Sequence, residues 1–373
     1  MSKKPKSVWG STIPLFKVLM SNAASEAVRE VLSSGYTGQG RRCEDFEIEF
    51  QKEVEAPIQP LLTNSCTSAL DLAYHLIGIQ PEDEVIVTPQ TCSATAIPLL
   101  HRKAKIVWAD VNAVTGLMIP QDVKSKITSK TKAIVAVDWG GLSCDYDELK
   151  SFGIPVVQDA AHSFMGRYKG ESIAKTGGDY ICWSFQSIKH LSMGDGGALM
   201  VPKEQYERAK LLRWYGFDRE SRADFRCEQN LKEAGYKYQS NDIAAAIGLS
   251  NLKIAIDAVE KQRENAAYYC GRFESASNFF RLTYTPESSW WLYTIVLNGI
   301  NRDSLIKELA DRSIAASPVH SRLDRHDCFG AFKRNDLTGL EYFSSRELAI
   351  PVGWWLSSEE RKYIADTMLE LTQ

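Results

Sequence analysis

The sequence predicts an α/β fold: a mostly parallel central sheet flanked by helices, followed by a smaller C-terminal α+β domain. Three observations carry this. Short Val/Ile-rich runs alternate with helical patterns over the first two thirds of the chain, the order expected of a parallel sheet wrapped on both faces. The runs are nearly continuous in apolar residues, as strands buried on both faces must be. After Asn241 the alternation gives way to a long helical stretch rich in Ala, Leu and Ile. Two domains are expected, 1–250 and 251–373.

Taken in order, Ser68 to Leu76 reads as a helix, Glu84 to Thr88 as a strand and Ala94 to His101 as a helix. Ala104 to Trp108 and Lys132 to Val137 are strands, Asp145 to Ser151 a helix and Pro155 to Gln158 a strand, with Gly, Pro or polar residues at the joins. Tyr180 to Trp183 and Ala198 to Val201 are the next strands, so Ser184 to Gly197 connects them. Ile243 to about Phe273 is a long helix bridging into the second domain. An aromatic strand over Trp290 to Leu297 and a helix over Arg302 to Ala310 follow there. The last helix, Ser358 to Leu371, opens on the capping-box pattern Ser357-Ser358-Glu359-Glu360.

Composition sets limits on function. The 373 residues are 44% hydrophobic and 24% charged, as in an ordinary globular chain of about two domains with a large core. A net charge of -3 with no basic stripe gives no reason to expect nucleic acid or a membrane surface as partner. Lys3, Lys4 and Lys6 read as a solvated terminus. Cysteines 43, 66, 92, 144, 182, 227, 270 and 328 contain no C-x-x-C pair and read as free thiols; no metal site is expected. No run reaches the roughly 18 apolar residues of a membrane span, and no apolar stretch follows the N-terminal lysines. A cytoplasmic location is expected.

Three constellations carry chemistry. Lys189 lies in Ser184-Phe185-Gln186-Ser187-Ile188-Lys189-His190-Leu191-Ser192-Met193-Gly194-Asp195-Gly196-Gly197, just after an apolar strand, where loops present reactive groups. Asp159 ends the apolar run Pro155-Val156-Val157-Gln158, at the strand edge where ligands of open α/β sheets bind. Thr67 and Ser68 stand at the start of a helix, whose unpaired N–H groups and dipole favour an anion such as phosphate. An amine, a carboxylate and a phosphate cradle are three parts that pyridoxal phosphate (PLP) chemistry needs.

With these parts in this order, the chain resembles the DegT/DnrJ/EryC1/StrS family of fold-type I, PLP-dependent sugar aminotransferases. The likeness runs from about Ile13 to Leu371. It includes Ser34-Gly35-Tyr36-Thr37-Gly38-Gln39-Gly40, Asp83-Glu84-Val85-Ile86-Val87-Thr88-Pro89, Gln158-Asp159-Ala160-Ala161-His162, the Ser184 to Gly197 segment, and Gly235-Tyr236-Lys237-Tyr238 with Asn241-Asp242. The resemblance implies that Lys189 forms the imine with PLP and then shuttles the substrate proton, and that Asp159 pairs with the pyridine nitrogen. Ser184, Thr67 and Ser68 match residues that hold the cofactor phosphate. His162 matches a position close to the cofactor ring, and His320 a histidine near the substrate pocket. The implied reaction moves an amino group from an amino acid, usually L-glutamate, to a nucleotide-linked keto sugar by a ping-pong route. A 4-keto-6-deoxyhexose or a 3-keto sugar is the expected acceptor, and a homodimer with shared active sites the expected assembly.

Three positions depart from the family pattern. Cys66 stands where relatives usually have glycine. Cys92 stands where many carry an aromatic that stacks on the pyridine, so that face is expected to be a thiol. Lys237 stands where many have an asparagine reaching the neighbouring subunit's phosphate, which a lysine would serve as a point charge. Taken singly, each residue has a plainer reading: Lys189 a solvated side chain, Asp159 a strand-end cap, His162 a packed histidine, Cys66 and Cys92 small core residues. Trp290, Trp291, Trp354 and Trp355 read most simply as core or interface aromatics, with sugar stacking the lesser alternative. Two other functions stand beside the transaminase. One is a PLP-dependent sugar dehydratase, in which histidine replaces the imine lysine, with His190 one residue from that position. The other is a non-catalytic, ligand-sensing homologue. A nicotinamide dehydrogenase is set aside because no G-x-G-x-x-G follows an early strand.

Overall fold

A computed structural model of the chain describes residues 12–219 and 228–372; Lys3, Lys4, Lys6 and Cys227 lie outside the described residues. Two helices precede the sheet, α1 (Ala24–Ser34) and α2 (Arg41–Glu53), and neither is among the elements the sequence pattern predicts. One face of α2 buries Cys43, Phe46, Glu47 and Phe50. Its N-cap is Gly40, which has no side chain to offer, so the cap comes from far along the chain. The Asp242 carboxylate accepts from the N–H groups of Gly40, Arg42 and Cys43 at 2.8, 3.3 and 3.2 Å, meeting the orphan donors of a helix start.

The central strands are β1 (Leu61–Thr63), β2 (Glu84–Val87), β3 (Lys105–Trp108), β4 (Thr131–Val137) and β5 (Val156–Asp159). A small hairpin of β6 (Arg167–Tyr168) and β7 (Glu171–Ser172) comes next, then β8 (Tyr180–Ser184) and β9 (Gly197–Met200). The order across the sheet is β1-β9-β8-β5-β4-β2-β3. Neighbours are parallel except at β9, which runs antiparallel to both β8 and β1. The chain therefore reverses between β8 and β9, and residues 185–196, with Lys189 among them, make that reversal. The strands expected from Val/Ile runs are found within a residue or two of their expected ends. Alternate residues feed opposite faces: Val85, Val87, Val135 and Val157 enter one core, while Ile86, Ile134, Ala136 and Val156 enter the other.

Helices α3 (Cys66–Ile77), α4 (Ser93–His101), α5 (Pro120–Lys126), α6 (Tyr146–Ser151) and α7 (Ile173–Thr176) lie between these strands, and α8 (Tyr206–Leu212) follows β9. Phe185, fully buried, packs edge-on against Phe46 and Phe50 at 5.4 and 5.1 Å. Burying such a ring is worth about 1.5–3 kcal/mol, so the start of the lysine loop is anchored in the core before it turns outward.

Helix α9 (Asp242–Arg272) is capped by the Asn241 side chain and runs through two cores. Leu252, Ala255, Ala258 and Val259 belong to the sheet core; Ala266, Tyr269 and Cys270 belong to a third cluster beyond it. That cluster is built on an antiparallel sheet in the order β10 (Phe279–Arg281), β11 (Tyr293–Leu297), β12 (Glu347–Ile350), with α10 (Arg302–Asp311), α11 (Thr338–Arg346) and α12 (Ser358–Leu371) around it. The capping box at Ser357 and Glu360 forms as expected. The aromatic strand is shorter than expected, starting at Tyr293. The cause is Trp290, at φ 50°, a left-handed setting that no strand accommodates. Ile13 N–H donates to Ser313 O at 2.8 Å and Ile13 O accepts from Ala315 N–H at 3.0 Å, so this early segment is stitched into the third cluster.

Cys43, Cys66, Cys144, Cys182 and Cys270 are buried free thiols, and Cys92 and Cys328 are exposed ones. Among the described residues no helix is long and apolar enough to cross a membrane.

Candidate active site

A cavity of about 390 Å³ opens at the C-terminal ends of β4, β5 and β8, beside the N-terminus of α3. That is the crevice where open α/β sheets hold ligands, and the volume suits one. Lys189, Asp159, His162, Ser184, Thr67, Cys92 and His320 all line it. Two expected residues do not. Ser68 faces a neighbouring pocket with Tyr236 and Tyr238, and its hydroxyl is 3.0 Å from that of Ser65, the N-cap of α3; Ser65 lines the cavity in its place. Lys237 is exposed, its Nζ against the Gln239 amide and 5.5 Å from the Tyr215 ring, away from this cavity.

Asp159 ends β5 and is buried. Its Oδ2 accepts from Thr95 Oγ1 at 2.7 Å and its Oδ1 from Ala161 N–H at 3.1 Å. Thr95 Oγ1 lies 2.7 Å from Thr91 Oγ1; a carboxylate only accepts, so the chain runs Thr91 to Thr95 to Asp159. Burial raises the Asp159 pKa, while the Thr95 hydroxyl, the Ala161 N–H and the Lys189 charge oppose the rise. Lys189 Nζ has no hydrogen bond or ion pair among the described residues, and it lies 3.6 Å from the centroid of the Trp291 ring. Burial lowers its pKa to about 8, against the pull of Asp159. About a tenth is then free amine at pH 7, far more than for an ordinary lysine, and that is the nucleophilic form.

His162 stacks on Trp291 at 4.0 Å and 21°, and lies 6.1 Å from His320, nearly parallel to it. Gly140 N–H donates to His162 Nδ1 at 3.3 Å, which assigns the ring proton to Nε2. Burial, then the Lys189 charge, hold His162 well below the ordinary histidine range, and the same two causes bring His320 down to about 4. Both rings are neutral at pH 7. His190 faces away from the cavity: its Nε2 donates to Ser289 O at 3.1 Å, and burial lowers it to about 3. Of the two neighbours, Lys189 is the one that enters the cavity.

The donor set fits PLP. The N-terminus of α3 brings the Ser65 and Thr67 side chains into the cavity, with Ser184 from β8, a donor cluster for a phosphate. Gly197 permits this closeness, because a Cβ there would sit 2.5 Å from Cys66 N and Ser65 C. Cys66, the departure from glycine, is accommodated: its thiol points inward, 3.7 Å from Cys182 O. Thr91, Thr95, Trp291 and Phe16 were not singled out as site residues by the sequence. Thr91 and Thr95 stand four apart, on either side of the α4 N-cap Cys92, a signal that was available; Phe16 arrives from the N-terminal segment, which no local pattern announces.

A mostly parallel α/β sheet presenting an amine, a carboxylate and a phosphate cradle at its strand ends defines a PLP-dependent transferase. The chain belongs to the DegT/DnrJ/EryC1/StrS aminotransferase family, whose model matches residues 19–369, and it is a PLP-dependent sugar aminotransferase. It is similar in structure to the sugar aminotransferase CalS13 from Micromonospora echinospora, at 32% identity and TM-score 0.90 over 96% of this chain and 99% of that one. It is also similar to Spr1654 from Streptococcus pneumoniae, solved in PMP and PLP forms, at 26% identity, TM-scores 0.89 and 0.88, and 97% and 98% coverage. In sequence it is 28% identical to the GDP-perosamine synthase of Escherichia coli O157:H7 over 96% of this chain and 98% of that protein.

Proposed function

We propose that this enzyme transfers an amino group from L-glutamate to a keto sugar carried on a nucleoside diphosphate, a 4-keto-6-deoxyhexose or a 3-keto sugar, by a ping-pong route. The observation that carries the reading is the convergence of Lys189, Asp159 and the hydroxyl-lined start of α3 on one cavity. The similarity to GDP-perosamine synthase supports a nucleotide-linked sugar.

Bound PLP supplies an electron sink for the carbon that loses or gains a proton. Lys189 Nζ would anchor the cofactor and, when free, would carry the proton to and from that carbon. Its lowered basicity suits both tasks, since an amine with a pKa near the working pH is a competent acid and base. Asp159 would pair with the pyridine nitrogen, and the Thr95 hydroxyl and the Ala161 N–H favour its ionised form against the burial that raises it. The Ser65, Thr67 and Ser184 hydroxyls and the α3 N-terminus bind the phosphate. His162, neutral with its proton on Nε2, and His320 line the same cavity and would stand beside the bound ring and the substrate. Cys92 offers a thiol where relatives stack an aromatic.

The working unit in this reading is a cytoplasmic homodimer with shared sites, in which Lys237 reaches the partner's phosphate. Lys237→Ala should then lower cofactor retention; retention equal to wild type would remove that role. The test of the whole reading is an absorbance spectrum before and after borohydride, with peptide mapping of the reduced adduct and addition of glutamate. An adduct on Lys189 and conversion to the pyridoxamine form by glutamate support it. PLP bound but not trapped on Lys189 would replace it with the dehydratase reading.

A further inference from the structure

The lysine loop is gripped from outside by a short segment of the C-terminal part of the chain. Trp291 Nε1–H donates to Ile188 O at 3.1 Å, and His190 Nε2–H donates to Ser289 O at 3.1 Å. Residues 291 and 289 thus hold the neighbours on either side of Lys189. Between these two ties, the Lys189 Nζ lies on the indole face, 3.6 Å from its centroid, within the range of a strong cation–π contact.

The indole is immobilised. Phe16 stacks on it at 5.0 Å and 24°, and His162 at 4.0 Å and 21°. With 5% of its surface exposed, Trp291 has too little free face to serve as a platform for a sugar ring. The backbone supports the same arrangement: Trp290 is at φ 50°, a setting bulky residues adopt only where the surroundings enforce it. Here Trp290 N–H is held by Ser288 Oγ at 3.1 Å and its Nε1–H by Thr285 O at 2.9 Å. The bend sends the two tryptophans different ways, Trp290 into the C-terminal core and Trp291 onto the lysine.

We infer that Ser289–Trp291 is a clamp on the catalytic loop, and that the Trp291 indole is the seat on which the Lys189 amine rests whenever it is not joined to the cofactor. The inference rests on the reading of Lys189 as the cofactor-bonding amine. Trp291 is a positioning residue: it holds the released amine inside the cavity, and its ring favours the protonated amine while burial favours the free one. The other titratable groups around that amine are Asp159 from β5, Cys66 from α3, Cys92 at the α4 cap, His162, His320, and His190 and Asp195 of its own loop. The variants below leave all of them unchanged.

The test reads the amine directly. The full chain, stripped of PLP, is labelled with a trace amine reagent across a pH series, and the Lys189 peptide is quantified by mass spectrometry. In Trp291→Leu the labelling midpoint should fall by about half to one pH unit relative to wild type, the loss of a cation–π contact. Protein made with 5-fluorotryptophan, which keeps the shape and weakens the ring face, should shift the same way by less. That second measurement carries the test should Trp291→Leu fail to fold. A midpoint that stays or rises in the fluorinated protein, with the borohydride-reduced PLP adduct still on Lys189, overturns the clamp alone. An adduct on another residue overturns the reading of Lys189 and the clamp with it.

Discussion

Thr95→Val isolates the support of Asp159, because it removes one hydroxyl and keeps the branched shape. In the wild type the Thr95 hydroxyl donates to Oδ2 at 2.7 Å and its oxygen takes the Thr91 hydroxyl at the same distance. Valine deletes both links, leaving a buried carboxylate one donor short and the Thr91 hydroxyl without its acceptor. A hydrogen bond to a charged group is worth about 1.5–3 kcal/mol. Loss of it disfavours the ionised carboxylate that holds the pyridinium, so the dissociation constant for PLP should rise about ten- to hundredfold. Titrating the PLP-free protein and following the cofactor absorbance measures this. Thr95→Ser, which restores the hydroxyl, should recover most of the loss. Equal affinities for wild type and Thr95→Val would refute the reasoning. So would a Thr95→Ser variant as weak as Thr95→Val, because the defect would then lie in packing.

Other perturbations probe other parts of the site and fold. Gly197→Ala drives a Cβ to 2.5 Å from the backbone of Ser65 and Cys66; it should weaken PLP binding and lower stability by about 1–3 kcal/mol, and an unchanged affinity would show that α3 can retreat without disturbing the phosphate cradle. Cys92→Phe restores an aromatic at the cavity wall and should tighten PLP by about two- to tenfold, the value of one aromatic contact; if titration gives the wild-type constant, the thiol is no handicap. Glu347 is buried beside Arg302, and burial raises it from 4.5 to about 8. Between those pH values the folded protein keeps a proton that the unfolded chain releases, so stability should fall with rising pH by up to about 1.4 kcal/mol per unit. Denaturant melts of Glu347→Gln should show a shallower decline across that window; curves parallel to wild type would mean that Glu347 is ionised in the fold.

Much of this was legible in the sequence, for physical reasons. From Ala133 to Val137, β4 is buried on both faces, and that demand writes an unbroken apolar run. Asp159 ends such a run and Lys189 lies in the loop that follows one, both at the edge where the sheet opens onto its crevice. Strand β1 was not found: three residues, Leu61–Thr63, leave no periodicity, and its pairing with β9 is a long-range choice. Helix α2 carries its apolar face, but its cap is Asp242, invisible to any local pattern. Ser68 was assigned to the phosphate for its place near the helix start, yet the side-chain direction of the first turn gives the cavity to Ser65 and Thr67. Trp291 reads as core and is buried in it, but its contact with Lys189 is not written in the local pattern. Only the reversed backbone at Trp290 turns it toward the lysine.

The stitch at Ile13 bears on how the enzyme is born. A ribosome releases the N-terminal segment early, but its partners, Ser313 and Ala315, emerge some three hundred residues later. Phe16 stacks on Trp291, which is itself made late, so this wall of the cavity is among its last parts to form. Contacts this distant in sequence are slow to close, so the parallel sheet can assemble during synthesis while the cavity wall waits for nearly the whole chain. A protomer that holds its cofactor tightly has, on this account, already joined Ile13 to Ser313 and Ala315.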